Sequence, residues 1–217
     1  METSPELGRR VFEGGSVVPM PMLMWAGTDE WRAEAAHVQR EEDRFRATGV
    51  QLGVGPVPYR LDYVLETTVA WVTRTLQVTA EGDGWRRSLL LTRDPHGRWR
   101  SEADGAGQVD LPMPGGDAAA LDDALDCDLG LSPLSNTMPI LRHRLHQQAG
   151  AAECTMAWVS VPDLTVHRSL QRYEHLRTSP HGALIRFASD DFTADLIVDA
   201  DGFVVDYPQL ARRVSGR

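Results

Sequence analysis

A chain of 217 residues with a formal charge of −9 and an acidic isoelectric point excludes several classes of protein. The negative charge argues against sequence-independent binding to nucleic acid or to anionic membrane surfaces. The length suits one substantial domain, because all-β proteins of this size are commonly single domains and no Pro/Gly/Ser-rich linker divides the chain. We therefore predict one domain over residues 21–213, preceded by a poorly ordered N-terminal segment, 1–20.

The N-terminal apolar residues are not typical of a targeting or membrane-spanning segment. The apolar stretch 17–25 is interrupted by Pro19 and Pro21 and follows several charged residues, so neither a signal peptide nor a transmembrane helix is predicted. Cys127 and Cys154 are the two cysteines and form no Cys-x-x-Cys motif. We expect buried thiols rather than a disulfide or a zinc site. These features predict a cytoplasmic protein without stable membrane insertion, while its oligomeric state stays open.

Apolar and polar residues alternate from Leu23 onward, with the two-residue period of β-strands. Leu61, Tyr63 and Leu65 are predicted to share one strand face. One face of the following strand is apolar apart from a single arginine, and consists of Val72, Arg74, Leu76 and Val78. The turn residues Asp83-Gly84 then predict a hairpin, and a further turn over residues 94–97 returns the chain again. The first half is therefore predicted to be a meander.

The second half repeats this pattern after two short predicted helices. Asp117 is placed to cap a helix over residues 118–125, and Ser132 to cap a second over 132–138, with Pro133 at its first position and its end before Pro139. Five strands are then predicted, at 154–161, 165–176, 183–188, 192–199 and 203–207. Asp201-Gly202 separates the last two, as the turn of a hairpin. Many short strands without βα alternation predict an all-β, antiparallel barrel or sandwich.

Several runs of residues carry a resemblance to a known family. The first lies between Asp128 and Arg142 and comprises Asp128-Leu129-Gly130, Ser132-Pro133, Asn136-Thr137, Pro139-Ile140 and Arg142. Others are Ala157-Trp158-Val159, Pro162 to Val166, Gln171-Arg172-Tyr173 and Phe192 to Leu196. Together they resemble the family of putative glycolipid-binding proteins, also catalogued as a domain of unknown function, over roughly residues 22–213. The family tends to have two adjacent arginines after Pro-Ile, whereas this chain has Leu141 and then Arg142.

The resemblance implies a partly open β-barrel built from two spliced half-barrel meanders. It also implies binding of a small amphipathic or lipid-like, glycolipid-type ligand within the barrel. The periodicity of the sequence by itself predicts only antiparallel β-structure with two meanders.

The sequence offers little support for catalytic or cofactor chemistry. It has no G-x-S-x-G elbow and no glycine-rich phosphate loop, so no metal or nucleotide cofactor is predicted. His143 and His146 would share a face only on a helix, which disfavours a metal site. Asp126 and Asp128 share a predicted strand face, where they could form an acid/base pair or contact solvent and nearby arginines.

Aromatic and arginine residues on the predicted strands are better candidates for a ligand site. Apolar walls would suit the tail of an amphiphile, and arginine or amide donors would suit a sugar or carboxylate head group. The candidates are Tyr63, Trp71, Arg74, Asn136, Arg142, Trp158 and Tyr173. Core packing for the aromatic residues and exposed positions for the arginines are the alternatives. Arg74 is favoured because its predicted face is otherwise apolar, so an inward guanidinium would need a partner or a wet cavity.

Ligand binding without chemistry is therefore the first functional hypothesis. The second is an isomerase or cyclase that positions a flexible apolar substrate in the same cavity, without a metal or nucleotide. A protein-interaction module that uses exposed sheet edges is a third hypothesis.

Overall fold

The computed structural model describes residues 18–215 with the exception of Asp191. Strands make up 59% of the chain. They form one 15-stranded sheet that curls without closing. The predicted all-β fold, an antiparallel and partly open barrel with short helices, is confirmed.

The first half of the sheet is an antiparallel meander in which consecutive strands from β2 to β8 pair with one another. Its strands are β1 (Val18–Pro19), β2 (Leu23–Gly27), β3 (Arg32–Glu41), β4 (Arg44–Gly53), β5 (Tyr59–Thr67), β6 (Thr73–Gly82), β7 (Trp85–Arg93) and β8 (Trp99–Gly107). The short β1 pairs with β3. Asp83-Gly84 connects β6 to β7 as predicted, and Gly84 has the positive φ of 73° that this tight turn requires.

The second half is a shorter meander with one parallel strand. It consists of β9 (Asp126–Leu129), β10 (Ala151–Val159), β11 (Val166–Ser179), β12 (Gly182–Ser189), β13 (Phe192–Val198), β14 (Val204–Tyr207) and β15 (Ala211–Ser215). The last strand, β15, was not predicted from the sequence; it pairs with β2 and so joins the two halves. At the other end, β9 pairs with β10 in parallel. The Leu125 carbonyl just before β9 accepts a hydrogen bond from the Thr73 N–H of β6.

The predicted helices are present with different bounds. Asp117 caps a 3₁₀ turn at Ala118–Leu121 through its side chain, as expected. A 3₁₀ turn at Pro133–Asn136 leads directly into α1 (Thr137–Arg142), so the prediction of an end before Pro139 is wrong. Pro139 is tolerated because it lies in the first turn, where the N–H groups have no partner within the helix.

The inward faces of both meanders form the core. Leu61, Tyr63 and Leu65 are buried on one face of β5, as predicted. Tyr63 lies directly opposite Gly49 of β4, and a Cβ added at Gly49 would lie only 2.3 Å from the Tyr63 ring. The absence of a side chain at Gly49 therefore makes room for the tyrosine.

Replacing Gly49 by alanine is expected to destabilise the protein by about 1–3 kcal/mol, because the added methyl group overpacks the core against Tyr63. Chemical denaturation measures this loss. Gly150→Ala is the matched control, since its new Cβ would lie an ordinary 3.5 Å from Leu145 and should change stability by no more than about 0.5 kcal/mol. Equal stabilities for the two variants would contradict the packing argument.

The predicted inward position of Arg74 is wrong. The pairing of β5 with β6 shifts between Glu66 and Thr67, where Glu66 pairs with Thr75 and Thr67 pairs with Thr73. Arg74 is the extra residue of this β-bulge, and its side chain is exposed. An extra residue reverses the alternation beyond it, so Leu76 and Val78 are buried although Arg74 is not.

The predicted N-terminal segment 1–20 falls mostly outside the described residues, which begin at Val18. Within the part of the chain that the structure describes, no helix has the length and apolar character needed to cross a membrane. Both cysteines, Cys127 and Cys154, are buried free thiols.

Candidate functional site

An open cavity of about 900 Å³ lies within the second half of the sheet. Its floor is the segment of residues 128–136, which ends β9 and leads to α1. Its walls are contributed by β10, β11, β12 and the region of β13 and β14. Small-molecule sites typically have volumes of about 300–1,000 Å³, so the cavity is large enough for a ligand of moderate size.

One wall of the cavity is aromatic. Phe187, Phe192 and Tyr207 form a triangle, with ring centroids 6.0 to 6.2 Å apart. We call these three residues the aromatic wall. Phe187 and Tyr207 are largely buried, whereas Phe192 is 40% exposed. The wall therefore offers an apolar surface that continues outward to solvent.

Next to the aromatic wall, the cavity is lined by polar side chains. Gln171 of β11 donates a hydrogen bond from Nε2 to Oδ2 of Asp128 over 2.6 Å, and Ser135 donates to Oδ1. The Tyr173 hydroxyl lies 2.9 Å from Gln171 Oε1 and 3.1 Å from Asn136 Oδ1. We call these five residues the polar cluster. Asp128, Asn136 and Gln171 reach the cavity, and Tyr173 packs edge-to-face on Phe187 with ring centroids 5.2 Å apart. The hydrogen-bonding groups therefore lie directly beside the aromatic wall.

The carboxyl of Asp128 is the acidic group of this cluster. Burial raises the pKa of Asp128, and the hydrogen bonds from Ser135 and Gln171 partly offset this increase. The ion pairs found among the described residues do not include Asp128. A carboxyl in this setting can accept hydrogen bonds from hydroxyl groups or, in its neutral form, donate one.

The cationic group on the cavity surface is Arg168, at the rim. Its guanidinium is paired with the carboxylate of Asp123, outside the cavity. Trp158 lies nearby on β10 and stacks against the ring of His167 at 6.0 Å. The rim therefore combines the half-buried Trp158 and the exposed His167 with an arginine whose charge is already matched.

Three of the predicted ligand-binding residues lie at this cavity. Trp158 and Asn136 line it. Tyr173 is fully buried behind Asn136 and Gln171, and belongs to the polar cluster rather than to the cavity surface.

Arg142 and Trp71 lie together at the junction of the two halves. The Arg142 guanidinium pairs with both carboxylate oxygens of Asp126 and donates to the carbonyls of Ala70 and Trp71. The Trp71 ring packs against Phe45. Burial raises the pKa of Asp126, and the Arg142 guanidinium acts in the opposite direction. Arg142 thus secures the start of β6 to the segment after the cavity floor.

Tyr63 lies in the core of the first half, where its hydroxyl donates to Glu34 over 2.6 Å. Arg74 is exposed on the outside of β6, away from the cavity. Asp126 and Asp128, the hypothetical acid/base pair, have separate partners, Arg142 and the polar cluster. Among residues 18–215 without Asp191, no group of three His, Cys, Asp or Glu residues is arranged to hold a metal ion.

Gln171 and the three residues of the aromatic wall were not among the candidates predicted from the sequence. Alternation could have identified Gln171, which shares the inward face of β11 with Tyr173 although it is polar. The same alternation places Phe187 in phase with the buried Ile185 of β12. What alternation cannot indicate is which inward positions line a cavity and which fill the core.

The fold and the cavity together define an open, barrel-like all-β protein with an amphipathic cavity. The chain belongs to the family described as putative glycolipid-binding, whose model matches residues 22–213. It is similar to a solved structure, the crystal structure of a DUF1089 family protein from Pseudomonas aeruginosa, with 27% identity and a TM-score of 0.63. This similarity covers 94% of the present chain and 100% of the other. No curated protein matches the chain.

Proposed function

We propose that the cavity binds a small amphipathic ligand of the glycolipid type. The observation that carries this proposal is the division of one cavity into an aromatic wall and a polar cluster. An apolar tail would pack on Phe187, Phe192 and Tyr207, where burying each CH₂ group contributes about 0.8 kcal/mol. A hydroxylated head group would exchange hydrogen bonds with Asp128, Asn136 and Gln171. The family description is consistent with this assignment.

The head group is expected to be uncharged. Arg142 pairs with Asp126, Arg168 pairs with Asp123, and Arg74 lies outside. A carboxylate or phosphate group would meet Asp128 without a guanidinium to compensate its charge, and an unpaired buried charge is costly. Sugar hydroxyls are both donors and acceptors, so they match carboxyl and amide side chains.

Replacing Phe192 by alanine is expected to weaken binding of a medium-chain alkyl glucoside about tenfold, because the tail loses an aromatic contact worth on the order of 1–2 kcal/mol. Titration calorimetry below the critical micelle concentration measures the affinity. Ile197→Ala is the matched control, because Ile197 is similarly exposed on the same strand and points away from the cavity. It should bind as the wild type does.

The same titration tests the head group. An alkyl glucoside is expected to bind more tightly than a fatty acid or an alkyl phosphate of equal chain length. Tighter binding of the anionic ligands would contradict the uncharged head group. Absence of binding for all three, together with no apolar ligand in native mass spectra of the purified protein, would contradict the proposed function.

An isomerase or cyclase is the second candidate. It is favoured by one observation, the raised pKa of the buried Asp128 carboxyl at the floor of the cavity. Such a group can transfer a proton to a substrate held in place by the cavity. Asp128→Asn would keep ligand binding and abolish turnover if this candidate is correct.

We infer further that the protein is a single domain over residues 21–213 and acts in the cytoplasm, without binding nucleic acid. The continuous sheet supports the first inference, and the two free thiols, Cys127 and Cys154, support the second.

A further inference from the structure

A second carboxyl group, Glu34 of β3, lies buried beneath the cavity floor. It is 4% exposed and shares the inward face of β3 with the apolar residues Ala36 and Val38. Its Oε1 accepts hydrogen bonds from the Tyr63 hydroxyl at 2.6 Å and from the Ser132 hydroxyl at 2.7 Å. Ser132 belongs to the cavity floor. Glu34 therefore connects the first half of the sheet to the ligand cavity.

Gln51 makes a second connection to the same floor. It lies directly opposite Glu34 in the register of β3 and β4, and is 2% exposed. Its Nε2 donates to the carbonyl of Gly130, another residue of the cavity floor. Glu34 and Gln51 together thus hold the floor at two positions, Gly130 and Ser132.

Two buried atoms of this pair have no hydrogen-bond partner, Oε2 of Glu34 and Oε1 of Gln51. Both side chains line the same small internal cavity of about 10 Å³. Side chains that face each other across an antiparallel pair have Cβ atoms about 5 Å apart, so their ends are within reach of one another. An ionised Glu34 oxygen and the Gln51 amide oxygen are both acceptors and would repel each other. A protonated Glu34 carboxyl can instead donate a hydrogen bond to the amide oxygen.

We propose that Glu34 and Gln51 are positioning residues of the ligand cavity, joined by a hydrogen bond from the protonated Glu34 Oε2 to Gln51 Oε1. This bond fixes the orientation of the Gln51 amide, so that Nε2 is directed at the Gly130 carbonyl. When Glu34 loses its proton, two acceptors face each other. The Gln51 amide then turns to donate to Oε2, and Gly130 loses its donor.

The surroundings of Glu34 support a proton bound near neutral pH. Burial raises the pKa of Glu34 to about 7, although the hydrogen bonds from Tyr63 and Ser132 act to lower it. Tyr59 and Tyr63 are the titratable groups that face it from β5, and burial raises the pKa of both.

The charged group nearest to this cavity on β3 itself is Arg32. It pairs with Asp29 and Glu30 and donates to the Leu210 carbonyl. Its charge is thus matched by two carboxylates, while its buried Nε has no hydrogen-bond partner among the described residues. The proton of Glu34 is therefore the variable charge beneath the floor. The floor residues here, Ser132 and Pro133, carry no charge.

Hydrogen exchange of residues 128–136 in the ligand-free protein tests the proposal. Exchange is compared between variants at each pH, so that the intrinsic pH dependence cancels. Glu34→Gln supplies a permanent donor to Gln51 and should protect the floor equally at pH 5.5 and 8.5. The wild type should match it at pH 5.5 and be protected about tenfold less at pH 8.5, as expected for one lost hydrogen bond.

Gln51→Met keeps the length of the side chain and removes its amide. At both pH 5.5 and pH 8.5, the floor of this variant should be as weakly protected as the floor of the wild type is at pH 8.5. The proposal is overturned if the wild type follows Glu34→Gln at every pH, or if Gln51→Met keeps the pH dependence of the wild type.

A second measurement rests on the proposed function. Binding of the alkyl glucoside to the wild type should weaken about tenfold between pH 5.5 and 8.5, in step with the lost hydrogen bond, and should not change for Glu34→Gln. If no variant binds the glucoside while exchange behaves as expected, the proposed function fails and the positioning role stands. If the wild type and Glu34→Gln bind it with the same pH dependence, the positioning role fails and the proposed function stands.

Discussion

Replacing Arg142 by methionine is expected to destabilise the protein by about 3–5 kcal/mol, the usual cost of removing one partner of a buried ion pair. Asp126 is fully buried and the Arg142 side chain is 11% exposed. Without the guanidinium, the Asp126 carboxyl and the carbonyls of Ala70 and Trp71 lose their donor. Equilibrium unfolding in denaturant measures the loss.

Arg74→Met is the matched control for this experiment. It removes an exposed arginine of β6 and should change stability by no more than about 0.5 kcal/mol. The double variant Asp126→Leu, Arg142→Met should recover much of the stability lost, because an apolar pair leaves no buried charge. A small effect of Arg142→Met on stability combined with a large effect on ligand affinity would instead assign Arg142 to the binding site.

As the pH rises from 4.5 to 8.5, the free energy of unfolding of the wild type is expected to fall relative to that of Glu34→Gln by on the order of 3 kcal/mol. Each unit by which a pKa differs between the folded and unfolded states corresponds to about 1.4 kcal/mol. The pKa of Glu34 is raised from 4.5 to about 7 in the folded protein, so the folded state holds the proton more tightly than the unfolded state does. The stabilisation from this proton is complete below pH 4.5 and is lost as the pH rises through 7.

Denaturant unfolding of both proteins at half-unit pH steps gives the difference curve, in which the titration of other groups cancels. Glu153→Gln, which replaces an exposed carboxyl of β10, should give a curve parallel to that of the wild type. A flat difference between the wild type and Glu34→Gln would show that Glu34 ionises in the folded protein as readily as in the unfolded chain.

Local signals in the sequence predicted much of the fold. Asp83-Gly84 and Asp201-Gly202 each lie at a hairpin turn, because few other dipeptides adopt its backbone angles. Alternation identified the inward face of β5. It failed at Arg74, because a bulge depends on the pairing of two strands and leaves no mark on the alternation of one.

The candidate site was less accessible to sequence reasoning. Asn136 and Trp158 were predicted and line the cavity. Arg142 instead pairs with Asp126 and donates to the carbonyls of Ala70 and Trp71, 72 and 71 residues away in the chain. The position of Glu34 could have been predicted, because this acidic residue shares the strand face of the apolar residues Ala36 and Val38. Its partner Ser132 is 98 residues away in the chain, and no local pattern brings the two together.

The lining of the cavity begins only at Asp128, while Glu34, Gln51 and Tyr63 all belong to the first meander. During synthesis from the N-terminus, the strands that carry Glu34, Gln51 and Tyr63 are therefore made before any residue of the cavity lining. Because segments that emerge early can fold early, Glu34 and Tyr63 can meet before Ser132 is synthesised. The half of the chain that is made first thus contacts the cavity floor from beneath, although it contributes no residue to the cavity lining.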